Sequence, residues 1–132
     1  MKSWQFACAI MAGVLLTAGA GATAQRLNLV ALDAVERGEW SLRTPQGQTR
    51  KLCLTNPASL MQIRHGANVC DHVVMDNTQR SATVRYTCSG HGQGRTTITV
   101  ETKRLLQIDT QGVRDGVPFA DEYEARLIGR CS

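Results

Sequence analysis

From Ser81 to Cys88 the chain alternates, with Ala82, Val84, Tyr86 and Cys88 apolar and the residues between them polar or charged. A period of two describes an antiparallel strand with one face buried and the other in water. Arg95 to Glu101 repeats the pattern with β-branched Thr96, Ile98 and Val100, and Leu106, Ile108 and Thr110 carry it into the next run. Phe119, Tyr123, Ala125 and Leu127 share a face of the last run, which Asp121 interrupts. Glycine, proline and asparagine separate these runs at Pro45-Gln46-Gly47, Asn77-Thr78-Gln79, Ser89 to Gly94 and Arg114-Asp115-Gly116, where hairpins need turns. The spacing predicts seven strands, near 39–44, 48–54, 70–76, 81–88, 94–101, 104–112 and 117–129.

One segment departs from this period. Asn56 is a helix cap, Pro57 suits the first helical position, and Gly66 stands past the end. Leu60, Met61 and Ile63 form a narrow apolar stripe that packs on the sheet. A shorter helical turn is expected near Leu32 to Arg37, ended by Gly38. The expected fold is mainly β within the α+β class: a strongly curved antiparallel meander, closing toward a barrel, with one short helix over a face or in one end. An immunoglobulin-like sandwich fits poorly, because Trp40 precedes Cys53, Cys70, Cys88 and Cys131 instead of lying between a cysteine pair.

The N-terminus has another character. Lys2, the apolar run from Phe6 to Leu16 and the small residues Thr17 to Gly21 have the three-part layout of a secretory signal, and Ala22-Thr23-Ala24 places cleavage between Ala24 and Gln25. The run is short for a membrane span and no basic stop-transfer cluster follows, so no transmembrane anchor is expected once residues 1–24 are removed. Cys8 leaves with the signal. Residues 25–132 then form a single domain, without repeats, and without Lys2 the fifteen basic residues become fourteen against eleven acidic, a net charge of +3. The positive residues are scattered, and Trp40, Tyr86, Phe119 and Tyr123 are the only aromatics of that domain. Both observations speak against a nucleic-acid partner.

Four cysteines in an exported chain imply two disulfides. If 70–76 pairs with 81–88 about the turn at Asn77 to Arg80, Cys70 and Cys88 fall opposite each other, close enough for a bridge, leaving Cys53 with Cys131. In the chain-entropy account the long bridge is worth about 4.5 kcal/mol and the hairpin bridge about 3 kcal/mol. The alternative, Cys53 with Cys70 and Cys88 with Cys131, brackets the helix.

Gly38-Glu39-Trp40-Ser41-Leu42, Lys51-Leu52-Cys53-Leu54-Thr55-Asn56-Pro57 before a helix, the hairpin bounded by Cys70 and Cys88, and Ile128-Gly129-Arg130-Cys131 follow one another in an order that resembles an exported bacterial family, domain of unknown function three-six-one-seven. The resemblance implies a small periplasmic or secreted protein of Gram-negative bacteria. It implies no activity and transfers no functional residues.

Candidate chemistry is sparse. His65, His72 and His91 lack a zinc-ligand spacing, so no metal or other cofactor is expected. Ser89 to Gly94 is glycine-rich enough to suggest an anion cradle, but it has no phosphate-loop lysine and reads better as a hairpin connection. Ser89 and His91 lack a nucleophile-elbow context. Asp121, on an apolar face, is either a perturbed acid or the partner of an arginine. The leading expectation is a non-catalytic exported module that binds a ligand or an envelope protein. One alternative is a carrier of a small apolar ligand in a cavity lined by Leu106, Ile108, Phe119 and Tyr123. Another is a hydrolase-type enzyme in which His91 meets Asp121 or Glu101.

Overall fold

In a computed structural model, which describes residues 26–132, the alternating runs become strands of a single antiparallel sheet. The strands are β1 (Gly38–Arg43), β2 (Thr49–Leu54), β3 (Cys70–Asn77), β4 (Ser81–Cys88), β5 (Gly92–Thr102), β6 (Leu105–Arg114) and β7 (Val117–Gly129). The expected signal at 1–24 and its cleavage site at Ala24 and Gln25 lie outside the described residues. Among the described residues no helix is long and apolar enough to cross a membrane.

The strand order is β2-β1-β7-β6-β5-β4-β3. From β3 to β7 each strand pairs with the next, as a meander requires, but β1 docks on β7 and carries β2 outside it. The sheet therefore stays open, with β2 and β3 as its edges, instead of closing into a barrel. The connection from β2 to β3 crosses the apolar face, where Leu60 and Met61 enter the core. The N-terminal segment covers the same face with Leu29, Leu32 and Val35. It is clipped to the far edge by Asn77, whose Oδ1 accepts from the Val30 amide at 2.9 Å and whose Nδ2 donates to the Asn28 carbonyl at 3.1 Å.

The segment after Asn56 corrects the expectation of an α-helix. It is a 3-10 helix over Pro57–Gln62, and the expected turn near Leu32 is a 3-10 turn at Val30–Leu32. Asn56 caps as anticipated, Oδ1 accepting from the Ala58 amide at 3.1 Å. Its carbonyl, however, accepts both the amide and the hydroxyl of Ser59, at 3.0 and 2.7 Å. That contact fixes a three-residue repeat, and Pro57, Leu60 and Ile63 fall in one row, the period of the tighter helix.

Both disulfides join the pairs favoured by hairpin geometry. Cys70 and Cys88 are directly opposed with Cα atoms 4.1 Å apart, and Cys53 joins Cys131 at 5.5 Å. Opposite Cys53 stands Glu39, and opposite Glu39 stands Gly129, so the second bridge reaches across β1 to the chain end.

Candidate functional site

The densest group of chemistry-bearing side chains lies on the covered face, where the 3-10 connection meets β4 to β7. His72, Tyr86, Gly94, Gly112 and Phe119 are directly opposed in turn across five strands. The two glycines make this row possible. A Cβ at Gly94 would strike the Tyr86 ring, with Cζ at 2.6 Å, and one at Gly112 would strike the Gln93 carbonyl. An aromatic ring laid over a bare glycine in a neighbouring strand restores the packing that the glycine lacks.

His65, only 3% exposed, enters between the rings, edge-on to Tyr86 at 5.1 Å and to Phe119 at 5.9 Å. Its Nε2 lies 3.0 Å from the His91 carbonyl and its Nδ1 3.0 Å from the Tyr86 hydroxyl. A carbonyl can only accept, so Nε2 carries a proton; in the tautomer with its one proton there, Nδ1 accepts from the Tyr86 O–H. Burial pushes the Tyr86 hydroxyl above its ordinary range, opposed by a Thr110 hydrogen bond and the charge of Arg64. Thr110 in turn meets the Thr96 hydroxyl at 2.7 Å. An imidazole with a partner at both nitrogens, packed beside a phenol that burial holds above its ordinary range, is a buried brace.

Around this brace the remaining polar groups are also engaged. His72 Nε2 donates to Gln62 Oε1 at 2.8 Å, while Gln62 Nε2 donates to the carbonyls of Gly66 and Asn68. Burial lowers the pKa of His72, and Asp71 pulls it the other way. Asp121, the acid on the apolar face, forms an ion pair with Arg64, Oδ2 lying 3.2 Å from Nε in a contact not aligned as a hydrogen bond. The Arg64 guanidinium lies over the Phe119 ring at 5.1 Å. Elsewhere Glu36 is held below its usual carboxylate range by hydrogen bonds from Lys103 and Arg104.

The residues of the enzyme alternative do not assemble as expected. The exposed His91 ring, in the β4–β5 turn, meets Asp115 of the β6–β7 turn at 3.2 Å; Asp121 pairs with Arg64, and Glu101 faces Gln107. Among the described residues no three histidine, cysteine, aspartate or glutamate side chains come together to hold a metal ion. Of the residues expected to face a ligand, Ile108 and Tyr123 line one shallow pocket together and Phe119 another. Leu106, Ile108 and Tyr123 pack in one core cluster with Trp40, Leu60 and Met61, and Phe119 is covered by His65 and Arg64.

The burial of His65 has no local signal in the sequence. In an α-helix it would sit in the last turn and cap the dipole, whereas the 3-10 path turns it into the sheet. The two glycines facing Tyr86 and Phe119 were the available signal, visible only once the strand register is known. Comparison with protein-family models, curated proteins and solved structures finds no match to this chain.

Proposed function

We propose that this chain is an exported, non-catalytic binding module of the bacterial envelope that engages a partner protein through the free edge of β3. The carrying observation is the contrast between the two sheet edges. β2 presents Arg50 and Lys51 and is tied by Cys53 to the chain end, which are ordinary protections against pairing. β3 presents Val73, 63% exposed, and Met75, 47% exposed, with Val74 beside them and Val69, 91% exposed, just before the strand. Asp71, Asp76 and a register shift between Val74 and Asp76 restrict this edge without covering it. Unpaired backbone groups beside exposed apolar side chains are what strand addition uses.

The two disulfides support an extracytoplasmic setting. Assignment to the periplasm, and to the family of exported domains named above, rests on the N-terminal pattern and on the order of motifs along the chain. A photo-crosslinking residue placed at Val73 in the exported protein tests the contact. Discrete protein adducts at 73, absent when the same probe replaces the outward-facing Thr99 of β5, are expected; equal labelling at both positions, or none at 73, rejects the reading.

A further inference from the structure

On the opposite, uncovered face of the sheet, Arg85 of β4 stands directly across from Arg95 of β5, and Arg95 directly across from Gln111 of β6. Like charges facing each other on adjacent strands cost stability. Among the described residues neither arginine is in an ion pair, whereas Arg64, Arg104, Arg114 and Arg126 each have a carboxylate; the nearest acids in the register, Asp71 beside Arg85 and Asp109 beside Arg95, stand diagonally and do not reach them. Gln93, one row along, completes the polar side of a groove of about 570 Å3 that Arg85, Arg95 and Gln111 also line, with Val113 and Phe119 as its apolar part and Gly94 and Gly112 between.

We propose that this groove binds a phosphate group, free or carried on a lipid headgroup. Two guanidinium forks and two carboxamides lining one groove supply more N–H donors than the two oxygens of a carboxylate accept, whereas a tetrahedral phosphate can take both forks. The ligand's charge also removes the repulsion between Arg85 and Arg95. Arg85 stands directly across from Val73 of the β3 edge, but no β3 residue lines the groove, so loss of phosphate binding and loss of the crosslink at Val73 are read independently.

The test is a titration of the exported protein with sodium phosphate, followed by the amide resonances of Gly94 and Gly112, against sodium chloride at equal ionic strength. Flotation with phosphatidylglycerol vesicles, with and without competing phosphate, runs beside it. Saturable shifts with phosphate alone, weakened at least tenfold by the double substitution Arg85→Gln and Arg95→Gln, assign a soluble ligand. Vesicle binding that needs both arginines, without shifts from free phosphate, assigns a headgroup. Shifts that chloride reproduces, binding that survives the double substitution in a variant with unchanged near-ultraviolet dichroism, or binding of neither probe overturns the proposal.

Discussion

At the scale of single residues, the covered face is held by polar groups that are costly to leave unpaired. Replacing Tyr86 with Phe keeps the ring over Gly94 but leaves His65 Nδ1 without its donor in a buried site. The expected loss is about 1–3 kcal/mol in urea unfolding, the usual cost of an unsatisfied buried acceptor. A loss within error would show that the brace contributes only packing. His72 provides a pH-dependent counterpart. Its folded pKa lies below the ordinary 6.5, so the unfolded chain takes up that proton first. Its neutral form is favoured by folding, and the associated stability is complete above about pH 6.5 and lost as pH falls from there toward the folded value. His72→Gln is therefore expected to flatten the decline in unfolding free energy between neutral and mildly acidic pH, and an unchanged slope would assign that decline to other groups. On the outer face, Arg85→Gln is expected to raise stability by about 0.2–1 kcal/mol by relieving the opposed charges.

The seven strands were legible at the scale of elements because a period of two, interrupted by turn residues, is a local signal. Pairing of Cys70 with Cys88 followed from the same symmetry about the Asn77 turn. The helix was legible in its start and its burial but not in its type. Asn56, Pro57 and Gly66 mark the ends of either helix and do not distinguish them; the tighter type shows only in the bonds made, such as that of the Ser59 amide to the Asn56 carbonyl. The element's worth comes from Leu60, 2% exposed in the core. Leu60→Ala is expected to cost about 2–5 kcal/mol, as buried leucine truncations do. Asn56→Ala should cost about 1 kcal/mol through the lost cap. Denaturant midpoints for the two variants check that burial outweighs capping; the opposite order would mean that the connection is held by its own hydrogen bonds rather than by the sheet.

The scale of the whole molecule is where local patterns stopped being informative. Nothing in the runs near 39–44 and 117–129 says that they are neighbours, since their pairing closes a loop of most of the domain. The candidate ligand lining followed the same limit: Leu106, Ile108, Phe119 and Tyr123 do share a face, but what covers that face comes from distant segments. Among long-range features only the cysteines carried a trace, because bridging Cys53 to Cys131 requires the chain end to approach the first hairpin.

That bridge also distinguishes itself from the other in its exposure. Cys53 and Cys131 both lie at the surface, while Cys88 is buried against the core and Cys70 is half-buried. Thiol–disulfide exchange needs in-line access of a thiolate to sulfur, so the outer bridge should open first under a graded reductant. The open sheet keeps its β3–β4 hairpin stapled at that stage and loses the tie between the β2 edge and the chain end. In the chain-entropy account the lost bridge contributes about 4.5 kcal/mol, a large share of the stability of a small domain. Alkylation and peptide mapping across a dithiothreitol series should therefore label Cys53 and Cys131 before Cys70 and Cys88, with the fall in melting temperature accompanying the first labelling. Simultaneous labelling of all four would mean that the outer bridge opens only through global unfolding, and earlier labelling of Cys70 and Cys88 would place the molecule's weak point in the hairpin that bears the exposed β3 edge.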